Sequence, residues 1–468
     1  MANFFLSELK IMIKNLILFL IFAIPTFAQV KLVPHEINLK SGKTFNLNLP
    51  ADYEIIPAAE GLKRVRFFAK SPDGRIFVTD MLDLSDNRKG TVYILDDWNA
   101  ETGKFGKVTP YLTNLRNPNS VGFYTDENGQ DWLYLAETDK LTRRKFTRGE
   151  TESRAKPQTL ATFPDYGLSY KYGGWHLTRT IAFSPAGKLY VSVGSSCNAC
   201  KEKEAVRAAI LEMNADGSGQ RIFAKGLRNA VDLKWIGKFL FATNQGADHL
   251  GLNKPDETFY AIKDGADYGW ASCYQSNGRI FADPQYPRKQ GCRNVPASYA
   301  YFPAHSSALG FDYFDEATSD ETIKNSFLVA LHGSTDKTIR HGYKIVIVRK
   351  GEKLQDFVSG FLQGEKVVGR PCGIMKLNED SFLFTDDFSG IIYYVRKKGA
   401  TTKIVVPETA QNISENIEKA NNNQPEAATQ SKNCFGIAVV FFGVCLRLIF
   451  STQSETRPIN NKYGVNQS

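Results

Sequence analysis

The sequence predicts an all-β fold, a six-bladed β-propeller, and three observations lead there. Six stretches share one plan: an apolar strand, a polar turn with Asp, Asn or Gly, a second strand ending near a small or acidic residue, then a third apolar strand. They are residues 65–97, 119–148, 178–214, 229–262, 308–348 and 370–396. Within them apolar residues alternate with period two. Ile181 and Phe183 precede a Pro-Ala-Gly-Lys turn, and Leu189, Val191 and Val193 follow it, as in a hairpin with one buried face. Finally, units of three or four antiparallel strands cannot cover their own apolar faces, whereas radial packing around an axis covers them and protects the sheet edges. The unit starts lie roughly 50–80 residues apart, so insertions fall between strands.

Taken in order, residues 1–28 read as an export signal. Lys10 and Lys14 precede an apolar run at 16–24, and the small residue Ala28 stands before Gln29. The run is short for a membrane span, so removal after Ala28 and a periplasmic or secreted protein are expected. Residues 29–400 form the propeller domain, in which 45–49 are expected to lend the strand that closes the ring. Residues 401–433 are expected to be a flexible linker, because the run from Pro407 is polar and poor in large apolar side chains. Residues 434–468 comprise a short apolar segment and a polar tail. The apolar part, 434–450, contains Arg447 and is a weak candidate for membrane contact.

Seven cysteines in an exported chain predict disulfides. Cys197 and Cys200 form a C-x-x-C with no second metal-type pair nearby, which favours a structural disulfide over a zinc or redox site. Cys273 and Cys292 flank a polar loop. Spacing alone leaves connectivity open. Cys372, beside an apolar strand, is expected to be a buried free thiol. The net charge of +9 is spread along the chain, which describes a solvated surface and argues against nucleic-acid binding.

In a propeller the residues just before each innermost strand converge on the central channel. Those positions hold Arg116, Asn117 and Asn119; His176 and Arg179; Arg228 and Asn229; His305 and Ser306; and Arg370. Cationic and amide groups at repeated inward positions predict a pocket for an anionic, planar or oxygen-rich ligand. His176 can accept a proton from a substrate hydroxyl; a structural hydrogen bond to a loop is the competing reading. Arg228 can fork onto a carboxylate or join blades as a salt bridge. The oxygen-rich stretch 244–248, followed by Pro255-Asp256-Glu257, suits Ca²⁺. Residues 264–274, rich in Gly and aromatics, can wall a pocket or pack a blade.

These residues match a family pattern. The chain resembles the soluble quinoprotein glucose dehydrogenase and L-sorbosone dehydrogenase family over about residues 49–395. The matching runs are GGWHLTRTIAFSPAGKLYVSVGSSCNAC, RAAILEMNADGSG, GLRN, NQGADHLG with PDE, DGADYGW, HGS with GYK, and GRPCGI. The resemblance implies a six-bladed propeller that binds pyrroloquinoline quinone and Ca²⁺. It implies His176 as the base, Arg228 and Asn229 at the dicarbonyl edge of the quinone, and Lys344 and Arg370 as partners of the cofactor's carboxylates; Arg179, at the rim, is expected to bind the cofactor as well. It implies Gln245 with the carbonyls of Gly246 and Ala247 as the Ca²⁺ site. The implied substrate is an aldose, a sorbosone-like aldehyde or a related polyol or alcohol.

Departures from the pattern narrow this. Trp175 stands where glucose-oxidising members carry an acidic residue, and HGS continues with Thr335-Asp336-Lys337 instead of Trp-Asn-Arg. The one C-x-x-C is followed by Lys201, so no haem motif is present and electrons leave to a separate acceptor, a cytochrome or a quinone. Two rival readings stand beside this one: a Ca²⁺-dependent sugar lactonase on the same architecture, and a binding propeller without catalysis.

Overall fold

The computed structural model describes residues 29–164, 176–336 and 338–404. The expected signal segment, Trp175, Lys337, most of the expected linker and the whole tail lie outside the described residues. Six four-stranded antiparallel sheets follow one another along the chain, and the architecture is a six-bladed β-propeller.

The first blade contains Val65–Lys70, Ile76–Asp80, Gly90–Asn99 and Lys104–Leu115. The second runs from Ser120–Thr125 to Gln158–Thr162 and the third from Ile181–Phe183 to Arg221–Lys225. In the fourth, Ala230–Ile236, Phe239–Asn244 and Glu257–Ile262 are joined by Ala300–Phe302 after a long insertion. The fifth runs from Ala308–Phe314 to Gln355–Val358. The sixth has Pro371–Asn378, Ser381–Asp386 and Ile391–Lys397, and its outer strand is Tyr53–Ala59 from the beginning of the chain. Asp248–Leu250 is the single helical turn among the described residues, and no helix there is long and apolar enough to cross a membrane.

The ring-closing strand is therefore Tyr53–Ala59, and the expectation for 45–49 is corrected. Those residues lie in Thr44–Pro50, which pairs with Leu32–Asn38 as a separate hairpin. Their alternation is real, because Phe45, Leu47 and Leu49 are buried in the apolar layer between the fifth and sixth blades. A period-two pattern reports a buried face, not the partner that covers it.

One apolar cluster fills each gap between neighbouring blades. Phe77 and Val92 of the first blade pack with Leu133 and Leu135 of the second, and Leu383 and Tyr394 of the sixth pack with Val65 and Val78 of the first. A smaller cluster on the axis joins Phe67, Val231, Leu309 and Cys372. Cys372 is the one free cysteine among the described residues and is buried, while Cys197–Cys200 and Cys273–Cys292 are disulfides.

A polar device repeats with the blades. The hydroxyl of Thr79 donates to the Asn119 carbonyl (2.8 Å), that of Thr243 to Leu309 (2.7 Å) and that of Thr385 to Arg66 (2.7 Å), each reaching the following blade. Threonine suits the place: it is β-branched and favours a strand, and it brings a donor to a carbonyl that water cannot reach.

The small or acidic residue noted at the end of the second strand also has a structural role. Asp80 accepts from the amides of Lys63 and Arg64, Asn244 from Asn229, and Asp386 from Arg370. Antiparallel pairing brings the end of each second strand beside the start of the first, as in Ala230 opposite Asn244 and Pro371 opposite Asp386. The side chain there caps the segment that enters the channel.

Candidate functional site

That pairing sets two families of loops side by side at one end of the channel: segments entering the first strands and segments leaving the second strands. Together they enclose a cavity of about 500 Å³, within the range of small-molecule and cofactor sites. The entering segments supply His176, Arg228, Asn229 and His305. The exits supply Gln245, Gly246, Asp248, His332 and Asp387, with Arg66 from the first blade and Glu257 from the fourth.

His176 is 8% exposed. Its Nδ1 lies 2.9 Å from the Ser195 carbonyl, an acceptor only, so Nδ1 carries the proton there and Nε2 keeps its lone pair. Burial, and next the Arg228 guanidinium, hold its pKa well below the usual imidazole value. The ring fits closely: a Cβ at Gly194 would stand 2.5 Å from both His176 Cβ and Asn229 Oδ1.

Arg228 is buried, and that burial lowers its pKa. Its Nε and Nη2 bind the Asn198 carbonyl and Oδ1 (both 2.9 Å), and Nη2 reaches Asp248 at 3.2 Å. Asp248 also faces His305 at 3.4 Å. Across the cavity Asp387 accepts from Arg64 (2.9 Å), Arg66 (2.6 Å) and His332 (2.6 Å). Burial alone would raise the Asp387 pKa, but these partners hold it far below the carboxylate range. Among the described residues neither Nη1 of Arg228 nor Nη2 of Arg66 has a hydrogen-bond partner, so each fork keeps donors for a ligand.

Oxygen acceptors collect beside Arg228. Asn229 Nδ2 donates to Gln245 Oε1 (2.8 Å), while Asn229 Oδ1 and Glu257 Oε2 are buried without a donor. Burial pushes the Glu257 pKa up to about 8, opposed by Arg228. Buried acceptors without donors next to a chain segment rich in carbonyls fit a hard cation.

The cavity thus brings together His176, Arg228, Asn229, Gln245 and Gly246. Four expected site residues do not line it. Arg179, buried behind the site, donates to the carbonyls of His176 (2.6 Å) and Thr178 (2.8 Å) and so holds the segment that carries the imidazole. Lys344 begins a third strand and pairs with Asp356 on the adjacent strand (2.8 Å). Arg370 donates to the carbonyls of Gly333 (2.7 Å) and Ser334 (2.9 Å) and lies over the Tyr343 ring; it braces the loop after His332. Ala247 turns to a smaller neighbouring cavity, which Trp270 of the aromatic loop also lines. Of the other rim residues, Arg116 is engaged with Asp86 and Asp139, and Asn119 bonds Arg66 and Thr180.

Arg66, His332 and Asp387 carry no expected role in the sequence, where the entering segments and the oxygen-rich stretch 244–248 stand out. The signal was present: Asp387 directly follows a strand ending in Asp386, and His332 follows one ending at Leu331.

No family model matches the chain. A protein of Borreliella burgdorferi described only as uncharacterized is 26% identical over 302 residues, which cover 62% of this chain and 78% of that one. Among solved structures, the fold resembles the pyranose dehydrogenase PQQ domain of Coprinopsis cinerea in its holo form (TM-score 0.59, 19% identity, 75% of this chain and 97% of that one). It also resembles the calcium structure of a Trichoderma reesei carbohydrate-active enzyme of family AA12 (TM-score 0.61, 16% identity, 79% and 98%). The PQQ-bound aldose sugar dehydrogenase of Streptomyces coelicolor is a third (TM-score 0.51, 19% identity, 74% and 99%). At these identities the likeness establishes a shared propeller fold.

Proposed function

We propose that this chain is an exported quinoprotein dehydrogenase that oxidises an aldose or a related aldehyde or alcohol, with pyrroloquinoline quinone and Ca²⁺ bound in the channel cavity. One observation carries the reading: the imidazole of His176 shares a cavity with two guanidinium groups and a set of buried oxygen acceptors, drawn from separate blades. The neighbouring structures whose names include PQQ support the cofactor, and the two disulfides support export.

When bound, the quinone supplies a hydride acceptor that no side chain provides. Arg228 and Arg66 would hold carboxylates through their remaining N–H groups. Asn229, Gln245, Gly246 and Glu257 would hold the cation. His176 Nε2 would take the hydroxyl proton of the substrate. Burial and Arg228 oppose a charge on that ring, and an anion held by Arg228 removes part of the opposition. The electron acceptor is a separate molecule.

The test is reconstitution. Purified protein with quinone and Ca²⁺ should reduce an artificial dye with at least one member of a broad sugar and aldehyde panel. Failure to bind quinone would reject the reading. A second reading, Ca²⁺-dependent lactone hydrolysis, draws on Glu257 and Asn229, whose orphaned oxygens would serve a catalytic cation equally well. Lactone hydrolysis without quinone would select it.

A further inference from the structure

The loop at 194–208 joins the second and third strands of the third blade. It touches both central side chains of the cavity without lining it. Cys197 and Cys200 close a four-residue ring in this loop. Inside the ring, the Asn198 carbonyl accepts from Arg228 Nε (2.9 Å) and Trp270 Nε1 (3.3 Å). Its Oδ1 accepts from Arg228 Nη2 (2.9 Å) and from the Asp248 amide (2.8 Å). One residue thus presents two oxygens to one edge of the guanidinium, as a carboxylate would, and ties down the neighbouring cavity loop.

The same ring reaches the imidazole. The Cys197 carbonyl accepts from Ser195 Oγ at 2.6 Å, and Ser195 meets His176 Nδ1 through its carbonyl (2.9 Å) and its hydroxyl (3.0 Å). Glu202 accepts from the Ser196 amide (2.7 Å) and hydroxyl (2.6 Å) and anchors the base of the ring. A partly exposed loop without helix or strand samples many conformations unless it is cross-linked. Here its carbonyls must stand still, because they orient two groups on different blades.

We propose that Asn198, held in the Cys197–Cys200 ring, is the positioning residue that fixes Arg228 relative to His176, and that the disulfide is required for that alignment. The identity of the ligand used below rests on the proposed function; the alignment itself does not.

Two measurements separate these claims. In protein without added ligand, the Arg228 Nη2–H that is bonded to Asn198 Oδ1 should give a slowly exchanging NMR signal, assigned by its loss in Arg228→Lys. Asn198→Ala and the double variant Cys197→Ser/Cys200→Ser should speed its exchange at least roughly tenfold, while Asn198→Asp, which keeps the accepting oxygen, should restore it. In quinone titrations with Ca²⁺, the first two variants should bind about ten- to a hundredfold more weakly, and Asn198→Asp within about threefold of wild type. Circular dichroism confirms folding; should the double Ser variant unfold, Asn198→Ala against Asn198→Asp decides alone. Unchanged exchange in both Asn198→Ala and the double variant overturns the proposal, as does equal loss in Asn198→Ala and Asn198→Asp. If wild type binds no quinone, the functional reading fails while the exchange measurement still judges the alignment.

Discussion

Replacing Asp387 by Asn should destabilise the propeller strongly, and its surroundings set the size. The carboxylate is fully buried and accepts from Arg64, Arg66 and His332. An amide keeps the shape and one accepting oxygen, but it leaves Arg66, itself 5% exposed, without a counter-charge. Removing one partner of a buried charge pair costs about 3–5 kcal/mol. Unfolding entropy near ~2.1 cal/mol/K per residue over roughly 370 ordered residues gives ~0.8 kcal/mol/K, so Tm should fall by about 4–6 °C. Urea and thermal denaturation of ligand-free protein measure this.

The pH dependence has a defined sign. The folded Asp387 pKa lies far below the ordinary value of 3.8, so its stabilisation is fully present above that value and is lost as pH falls toward the folded one. The gap between wild type and Asp387→Asn should therefore be complete at neutral pH and narrow only in acid. Combining Asp387→Asn with Arg66→Met should cost less than the sum of the two, with coupling of about 1–3 kcal/mol. Additive costs, or a single-variant cost below about 1 kcal/mol, would refute the account of an uncompensated buried charge.

His176→Ala should lower dye-linked turnover by roughly 10²–10⁴-fold with quinone affinity nearly retained, because the ring acts on the proton; steady-state kinetics with a quinone titration checks this. Since burial and Arg228 favour the neutral ring in ligand-free protein, an NMR titration of the His176 ring without ligand should place its protonation below the ordinary value of 6.5, and protonation at or above that value would refute this account of its surroundings. Thr385→Val removes the bonds to Arg66 and Gly373 and should cost about 1–3 kcal/mol in urea unfolding. Lys344→Met should change quinone affinity by no more than about twofold, since the ammonium pairs with Asp356 outside the cavity; a tenfold loss in the titration would place it in the site after all.

Legibility differed between fold and site. The blades were readable because each buries a repeated apolar alternation, and burial on a pleated sheet leaves a period-two trace that needs no knowledge of neighbours. The fourth strands were harder. Gln158–Thr162 and Arg221–Lys225 lie at the outer edge, half exposed, and carry little alternation. His176, Arg228 and Asn229 were legible because segments entering the first strands converge on the channel, although Arg116 and Arg179 on the same kind of segment turn to protein partners instead. Lys344 came from resemblance to a pattern and Arg370 from its rim position as well; neither lines the cavity, because Asp356 takes one and the carbonyls of Gly333 and Ser334 the other.

Composition and periodicity in this chain determined six radial sheets, the burial of Cys372 and the set of basic and amide residues that approach the axis, since those follow from local alternation and chain order. Only the tertiary structure decided that Tyr53–Ala59 closes the ring, that Asp387 gathers two arginines and a histidine, and that Asn198 grips Arg228. Such pairings depend on where separate strands stop and on which polar group is nearest once water is excluded, and one-dimensional order carries neither distance nor burial.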